Sequence, residues 1–243
     1  MYTYQSRIRY SEIGKDGKLS LIALLNHFQD CSTFHSEDLG FGYRYYYDRD
    51  LLWVLSAWQI VINRYPMLCE KVVIGTAPYG FRSVIGFRNF WMTSEDGEQL
   101  ACANSVWTLI DIKRGRPTKP TEEIIGGYDL AEKIPMDYAD RKITVPSEGM
   151  TLPSVEVKPH HLDTNNHVNN GQYIRIALDL LADNNGENNN NENEISQLRA
   201  EYKKSAVLSD IMYPKLIELP DAKIISLQDN NGNPFCITEF SFK

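Results

Sequence analysis

The chain has 243 residues, of which 42% are hydrophobic and 23% are charged, ordinary values for a globular protein with a buried core. Its formal net charge of −7 argues against a nucleic-acid partner, because an acidic surface is repelled by phosphates. No apolar run is long enough to span a bilayer, and the first residues lack the apolar core of a signal peptide. We therefore expect no membrane partner and a cytoplasmic location.

The cysteines are scattered along the chain, at Cys31, Cys69, Cys102 and Cys236. They form no C-x-x-C pair, and no histidine accompanies them at the spacing of a zinc site. We expect buried free thiols, with no metal and no cofactor.

The first half predicts a strand, a helix and then four strands. Residues 2–10 alternate in polarity, which is typical of a half-buried strand. Ser20 is placed to cap a helix whose apolar residues recur at helical spacing, namely Leu21, Leu24, Leu25 and Phe28. The nearly continuous apolar run 51–62 predicts a strand covered on both faces. Further strands are predicted at about 70–76, 80–93 and 99–112, the last two joined by an Asp96-Gly97 hairpin.

A change of composition separates the two halves. More than half of the 11 prolines lie between Pro117 and Pro159, which predicts a connection over residues 116–152, with a short helix at 121–126. The low-complexity segment 183–194 cannot bury a core, so we predict a flexible surface loop there.

The second half repeats the pattern of the first. A strand at 154–158 leads to a polar turn and to a helix with a stripe of Ile174, Ala177, Leu178 and Leu181. Strands are predicted at about 195–206, 211–218, 222–228 and 235–242. An offset of 149 residues aligns Ile13–Ser20 with Leu162–Asn169. The turn, the helix cap and the spacing of the apolar residues then coincide, although almost no aligned residues are identical. We predict a duplicated α+β fold with domains at 1–115 and 153–243, each a helix wrapped by an antiparallel sheet.

The polar turn of the second half carries the candidate chemistry. Asp163, Asn165 and His167 stand at every second residue, which in an extended backbone puts their side chains on one side. His can exchange a proton near neutral pH, Asp can orient it, and Asn can donate to an oxygen or hold a water. The amides at 168–171 open a helix and could stabilise an oxyanion. The aligned positions of the first half are Gly14, Asp16 and Lys18, so the candidate site belongs to the second half.

Taken alone, an Asn/Asp-rich turn with capping side chains explains these residues without chemistry, and that interpretation is favoured. However, the segment Leu-Asp-Thr-Asn-Asn-His-Val-Asn-Asn-Gly-Gln-Tyr-Ile at 162–174 resembles the signature of the acyl-ACP thioesterases, the plant type and its bacterial relatives. That signature is Asp-x-Asn-x-His-Val-Asn-Asn followed shortly by Tyr-Ile or Tyr-Val. Residues 60–66 and 198–204 resemble strands of the two family domains, so the resemblance extends in order over nearly the whole chain.

The resemblance implies a double hotdog fold and hydrolysis of the thioester between a fatty acyl chain and the phosphopantetheine arm of acyl carrier protein (ACP). It implies that Asp163, Asn165 and His167 are the catalytic set. In that case the N-terminal domain is the acyl-chain pocket, the C-terminal domain is catalytic, and acyl-ACP is the partner. Whether the chain forms a homodimer is left open.

One position departs from the family pattern. The plant enzymes carry Glu and then Cys where this chain has Ser205 and Ala206. A cysteine nucleophile is therefore excluded at that position, which leaves attack by water, and Ser205 could hydrogen-bond that water without acting as a carboxylate base. An acyl-CoA donor and a non-catalytic acyl-ACP-binding protein remain as alternatives. A hotdog dehydratase is weaker, because no pairing of His with Asp or Glu across the two helices is visible.

Overall fold

The computed structural model describes residues 1–184 and 194–243, which divide into two compact units, Met1–Ala139 and Asp140–Lys243. Residues 116–139 of the predicted connection group with the first unit, and residues 140–152 group with the second. The loop predicted at 183–194 lies almost entirely outside the described residues. Among the described residues, no helix combines the length and the apolar character needed to cross a membrane.

The first unit is an antiparallel sheet with one long helix. The bounds of the elements are β1 (Tyr2–Arg7), α1 (Leu21–Asp38), α2 (Tyr43–Tyr47), β2 (Leu51–Ile62), β3 (Lys71–Arg82), β4 (Ile85–Ser94), β5 (Gln99–Asp111), β6 (Arg116–Pro117) and α3 (Glu122–Gly126). The strands follow one another in space as β1-β3-β4-β5-β2, with β6 paired to β5. Helix α1 packs against β1 and β3.

Helix α1 begins and packs as its sequence predicts. The Ser20 hydroxyl accepts a hydrogen bond from the Ala23 amide at 3.2 Å, which satisfies one of the amides that the first turn leaves without a partner. The predicted apolar stripe is buried, and the Phe28 ring lies 5.5 Å from the ring of Phe90 on β4. Burying a side chain of this size contributes about 1.5–3 kcal/mol, so this packing holds the helix against the sheet.

The second unit repeats this architecture. Its elements are β7 (Met150–Thr151), β8 (Val155–Glu156), α4 (Asn170–Asn184), β9 (Ile195–Tyr202), β10 (Ile211–Glu218), β11 (Ala222–Gln228) and β12 (Pro234–Phe242). The strands run antiparallel in the order β9-β12-β11-β10-β7, and β8 also pairs with β10. Helix α4 packs on β11 and β12, and its predicted stripe is buried.

The duplication extends to single backbone contacts. The bridge between Ile13 and Leu19 recurs between Leu162 and Val168, at the offset found in the sequence. The bridge from Lys18 to Met67 recurs from His167 to Val207. Each unit is thus a long helix wrapped by an antiparallel sheet, and the predicted α+β double hotdog fold is confirmed.

Three expectations were wrong in detail. The sequence suggested a break near residue 77, but β3 continues through Pro78 by way of a bulge and turns only at Ser83, whose φ is 57°. The aromatic-rich run 41–47, which in the sequence is typical of a connection, contains the short helix α2. Cys69 is exposed, with a φ of 67° in a tight turn, whereas the other three cysteines are buried.

Candidate active site

The polar turn before α4 is closed by its own backbone. The Asp163 amide donates to the His167 carbonyl at 2.8 Å, and the Asn166 amide donates to the Asp163 carbonyl at 3.1 Å. Asn166 has a φ of 58°, a left-handed conformation that Asn tolerates better than most residues. The premise of an extended backbone from residue 163 to residue 167 is therefore wrong, because the chain turns there.

Asp163 holds this turn together through its carboxylate. Its Oδ1 accepts from the Asn165 amide at 2.7 Å and from the His167 amide at 3.3 Å. The capping role that the sequence suggested for an Asp in this turn is confirmed. The same two bonds fix a negative charge beside the backbone of His167.

The side chains of Asn165 and His167 are not used by the fold. Asn165 is exposed and His167 is half-buried. No hydrogen bond of either side chain to a residue in 1–184 or 194–243 is found, although the backbone of His167 bridges to Val207. An amide and an imidazole are therefore available to a ligand on a backbone that is itself hydrogen-bonded in place.

The segment that carries Ser205 lies alongside this turn. The Val168 amide donates to the Ala206 carbonyl at 2.9 Å, and His167 bridges antiparallel to Val207. Because of this pairing, residues 205–207 lie beside residues 167–169. Ser205 itself is exposed.

Two tyrosines for which the sequence predicts no role connect these segments. The Ala206 amide donates to the Tyr173 hydroxyl at 2.8 Å, and the Tyr202 hydroxyl donates to the Asn170 carbonyl at 3.1 Å. Their rings meet edge to face with centroids 6.0 Å apart. Burial raises the pKa of both hydroxyls, so both stay protonated at neutral pH. The only signal for them was their place in the segments that carry the family resemblance.

The amides at the start of α4 are mostly occupied. The amides of Val168, Asn169 and Gly171 donate to the Ala206 carbonyl, the His161 carbonyl and the Asn169 side chain, each at 2.9 Å. Of the amides at 168–171 that we expected to be able to stabilise an oxyanion, three are therefore already hydrogen-bonded within the chain. Within the described part of the chain, the amide of Asn170 is the one in this set without a partner.

A buried carboxylate of the second unit has a structural role. Glu201 on β9 is 4% exposed and accepts from the Ile143 amide at 3.1 Å and from the Lys203 ammonium at 2.6 Å. Burial, with a smaller effect of the Glu201 charge, raises the pKa of Cys236, so that thiol is not a nucleophile at neutral pH.

The first unit has the same turn with different side chains. The Gly14 amide donates to the Lys18 carbonyl at 2.9 Å, as the Asp163 amide donates to the His167 carbonyl at the aligned positions. The Met67 amide donates to Glu70 at 2.8 Å, and the Val207 amide to Asp210 at 2.9 Å. The first unit therefore offers matched control positions for the second.

Comparisons with known proteins agree over both units. The family described as acyl-ACP thioesterase N-terminal domain matches residues 1–128, and the acyl-ACP thioesterase C-terminal domain matches residues 146–214. A palmitoyl-acyl carrier protein thioesterase of Cuphea hookeriana is 31% identical over 195 residues, which are 71% of this chain and 45% of that protein. The chain thus spans less than half the length of this curated relative.

Two solved structures show the same fold over the full chain. An acyl-ACP thioesterase from Bacteroides thetaiotaomicron superposes with a TM-score of 0.87 at 24% identity, covering 99% of this chain and 97% of that one. The 12:0-ACP thioesterase from Umbellularia californica gives a TM-score of 0.86 at 19% identity, covering 100% and 96%. Because both sequence identities are below 25%, these two comparisons show a shared fold and no more.

Proposed function

This chain belongs to the acyl-ACP thioesterase family, and from that membership we propose that it hydrolyses fatty acyl-ACP to free fatty acid and ACP. The observation that carries the proposal is the turn at 163–167. Two side chains able to act on a carbonyl, Asn165 and His167, have no partner in the described chain and stand on a backbone fixed by Asp163. The turn lies within the segment that matches the C-terminal domain of the family.

In the proposed reaction, His167 takes a proton from a water molecule as the water oxygen attacks the thioester carbonyl carbon. The carbon–sulfur bond then breaks, and the proton passes from His167 to the departing thiolate. Asn165 donates to the carbonyl or holds the water, and the amide of Asn170 is placed to donate to the oxyanion. The charge of Asp163, fixed beside the His167 backbone, stabilises the imidazolium. Ser205 hydrogen-bonds the water.

The acyl chain is proposed to lie in the first unit, within residues 1–115. This unit supplies the long apolar helix α1 and the aromatic residues that follow it. Catalysis is proposed to belong to the second unit, within residues 153–243. ACP is the proposed donor, and acyl-CoA is the donor to compare with it.

The test is release of free fatty acid from acyl-ACP by the purified chain. His167→Ala is expected to lower the rate by about 100-fold or more, the usual contribution of a positioned acid–base group. Lys18→Ala is the matched control, because Lys18 makes the same bridge in the first unit, and its rate should equal that of the parent. A His167→Ala variant that hydrolyses acyl-ACP as fast as the parent would contradict the assignment of the active site to this turn.

One observation favours a second function. Ser205 replaces the carboxylate that the family resemblance puts beside the turn, which permits a protein that binds acyl-ACP without turning it over. Such a protein would bind acyl-ACP stoichiometrically and release no fatty acid. Ser205→Glu would then introduce measurable hydrolysis where the parent chain has none. In an active enzyme, the same substitution would only change a hydrolysis rate that the parent chain already shows.

The cytoplasmic location and a homodimer stay predictions. Cell fractionation tests the first, and light scattering on the purified chain tests the second.

A further inference from the structure

The peptide between Ser205 and Ala206 is held by a side chain of helix α4. Ala206 is fully buried, and its amide donates to the Tyr173 hydroxyl at 2.8 Å. Its carbonyl accepts from the Val168 amide at 2.9 Å. Because a peptide group is planar, the bond to its N–H also sets the direction of the Ser205 carbonyl. Tyr173 thereby restricts the backbone of the residue whose side chain is proposed to hold the attacking water.

The first unit contains a matching junction, which identifies the counterpart of Ala206. The bridge to Met67 in the first unit corresponds to the bridge to Val207 in the second. Pro66 is therefore the counterpart of Ala206, and both residues are buried. The Pro66 carbonyl accepts from the Leu19 amide at 2.8 Å, and the Ala206 carbonyl accepts an amide in the same way. The pairing of the two segments is thus the same in both units.

Beyond this point the two backbones also turn alike. Cys69 in the first unit and Ser209 in the second lie at the same distance along the chain from the shared bridge, and their φ values are 67° and 69°. A left-handed conformation is uncommon outside glycine, so its recurrence at matched positions indicates that the chain follows one path in both units. That path therefore does not depend on the side chains that differ between the units.

The hydrogen bond between Ala206 and Tyr173 is one of the features that differ. Pro66 has no N–H to donate, and the residue aligned with Tyr173 is Leu24, which has no hydroxyl to accept. The first unit thus lacks both the donor and the acceptor of this bond. Since that unit forms the junction without it, the fold alone does not account for the bond beside the candidate turn.

We propose that Tyr173 is a positioning residue of the reaction, whose hydroxyl holds the Ala206 amide and so fixes Ser205 relative to the turn at 163–167. This inference rests on the proposed function. Tyr173 is 2% exposed, so it acts through Ser205 and not on the reacting atoms. A misplacement of about 1 Å can cost about 100-fold in rate, so a looser peptide at this point lowers kcat.

The kinetic test is a double-mutant cycle between Tyr173→Phe and Ser205→Ala. Each single change should lower kcat for fatty acid release severalfold and leave KM nearly unchanged, because neither side chain is proposed to bind the acyl chain or ACP. In the Ser205→Ala background, Tyr173→Phe should lower kcat by no more than about twofold, since the side chain that it positions is already absent. Two effects that multiply in full would show that Tyr173 does not act through Ser205 and would overturn the proposal.

Tyr138→Phe is the control for the loss of a tyrosine hydroxyl. This hydroxyl donates to Asn89 Oδ1 at 2.9 Å in the first unit. We expect Tyr138→Phe to lower the melting temperature as Tyr173→Phe does and to keep the kcat of the parent. An equal fall of kcat in the two variants would mean that Tyr173 acts through stability alone, contrary to the proposal.

A paired substitution separates the site from the fold. Tyr173→Leu combined with Ala206→Pro gives the second unit the residues of the first and leaves no buried amide without an acceptor at this point. The pair should melt at a higher temperature than Tyr173→Leu alone, while its kcat stays as low as that of Tyr173→Phe. Recovery of the parent kcat in the pair would show that the hydroxyl only satisfies the amide, which contradicts a positioning role.

Hydrogen exchange of the Ala206 amide tests the contact without turnover. The amide should be protected in the parent and should exchange about tenfold or more faster in Tyr173→Phe. Equal exchange in the two chains would overturn the inference whether or not acyl-ACP is hydrolysed. A parent chain that releases no fatty acid, but in which protection of Ala206 depends on Tyr173, would contradict the proposed function alone.

Discussion

Asp163 illustrates how a residue can have both a structural and a chemical role. Its carboxylate accepts two amide hydrogen bonds that close the turn, and in the proposed mechanism its charge also stabilises the His167 imidazolium. Asp163→Asn separates the two roles, since the Asn oxygen can still accept from both amides. The rate of fatty acid release should fall about tenfold or more while the melting temperature changes little. A full rate in Asp163→Asn would mean that the carboxylate is only a cap.

The buried His35, whose Nδ1 accepts a hydrogen bond from Arg88 Nη1 at 2.9 Å, should make stability depend on pH. The pKa of His35 is about 4 in the folded chain against 6.5 for an ordinary histidine, so the unfolded chain binds the proton first as pH falls. The corresponding stability, roughly 3 kcal/mol, is fully present above pH 6.5 and is lost as pH falls to about 4. His35→Asn keeps an acceptor for Arg88 without this titration. In urea unfolding, that variant should lose less stability between pH 7 and pH 4 than the parent.

The matched control for His35 is His160→Asn, because His160 is exposed. It should lose nearly as much stability on acidification as the parent, the difference being confined to its neighbour His161, whose pKa the His160 charge lowers. The remaining pH dependence of His35→Asn is expected to include His27 and His161, whose pKa values burial also lowers. An equal loss of stability in His35→Asn and the parent would show that His35 is not responsible.

For single residues, the sequence identified the candidate side chains of the turn but not their geometry. Asp163, Asn165 and His167 were identified by residue type and by family resemblance, whereas the extended spacing argument was wrong because Asn166 turns the chain. The hydroxyls of Tyr173 and Tyr202 bond to backbone groups about 30 residues away in sequence. Such contacts depend on tertiary pairing, which local periodicity does not report.

The two long helices begin with different caps, and this difference can be tested. Ser20 accepts from the amide of Ala23, and Asn169 accepts from the amide of Gly171. Loss of either cap should cost about 1 kcal/mol of stability. Asn169→Ala should also slow fatty acid release, because Asn169 precedes the proposed oxyanion donor Asn170.

Ser20→Ala is the control for this effect. It removes a side-chain cap from the long helix of the unit that lacks the candidate turn residues. We expect it to lower the melting temperature about as much as Asn169→Ala does and to leave the rate unchanged. If both variants keep the parent rate, the start of α4 does not contribute to the reaction.

Both long helices were predictable because their buried stripes recur at helical spacing and Ser20 is a strong capping residue. The strand predicted at about 70–76 stops short of Pro78, a residue that cannot donate a ladder hydrogen bond. The structure accommodates that proline in a bulge between Pro78 and Gly80. A bulge depends on the neighbouring strand, which the local sequence does not identify.

At the scale of the whole chain, the duplication was visible although its two copies share almost no identities. The two copies share the spacing of their apolar residues and the position of the turn, because each copy must bury one helix against one sheet. The packing of the proline-rich segment was not visible. Gln59 Nε2 donates to the Asp137 carbonyl at 2.7 Å, and Gln59 Oε1 accepts from the Ala139 amide at 2.9 Å. Composition identified a connection but not the strand on which it lies.

The repeat also allows a test of what the site needs beyond its turn. The triple change Gly14→Asp, Asp16→Asn and Lys18→His places the candidate side chains on the matching turn of the first unit. A Cβ at Gly14 would meet Asp16 Oδ1 at 3.4 Å, an ordinary contact, and the bridges of the turn are the same. We therefore expect the graft to fold.

In the His167→Ala background, this graft should release fatty acid no faster than His167→Ala alone. The reason is that the aligned position of Tyr173 is Leu24 in the first unit, so the hydroxyl that accepts from the Ala206 amide beside the candidate turn has no counterpart there. A melting temperature close to that of His167→Ala confirms that the grafted chain is folded when its rate is read. Recovery of a substantial rate would show that Asp, Asn and His on this turn suffice, and that the tyrosine contacts of the second unit serve the fold alone.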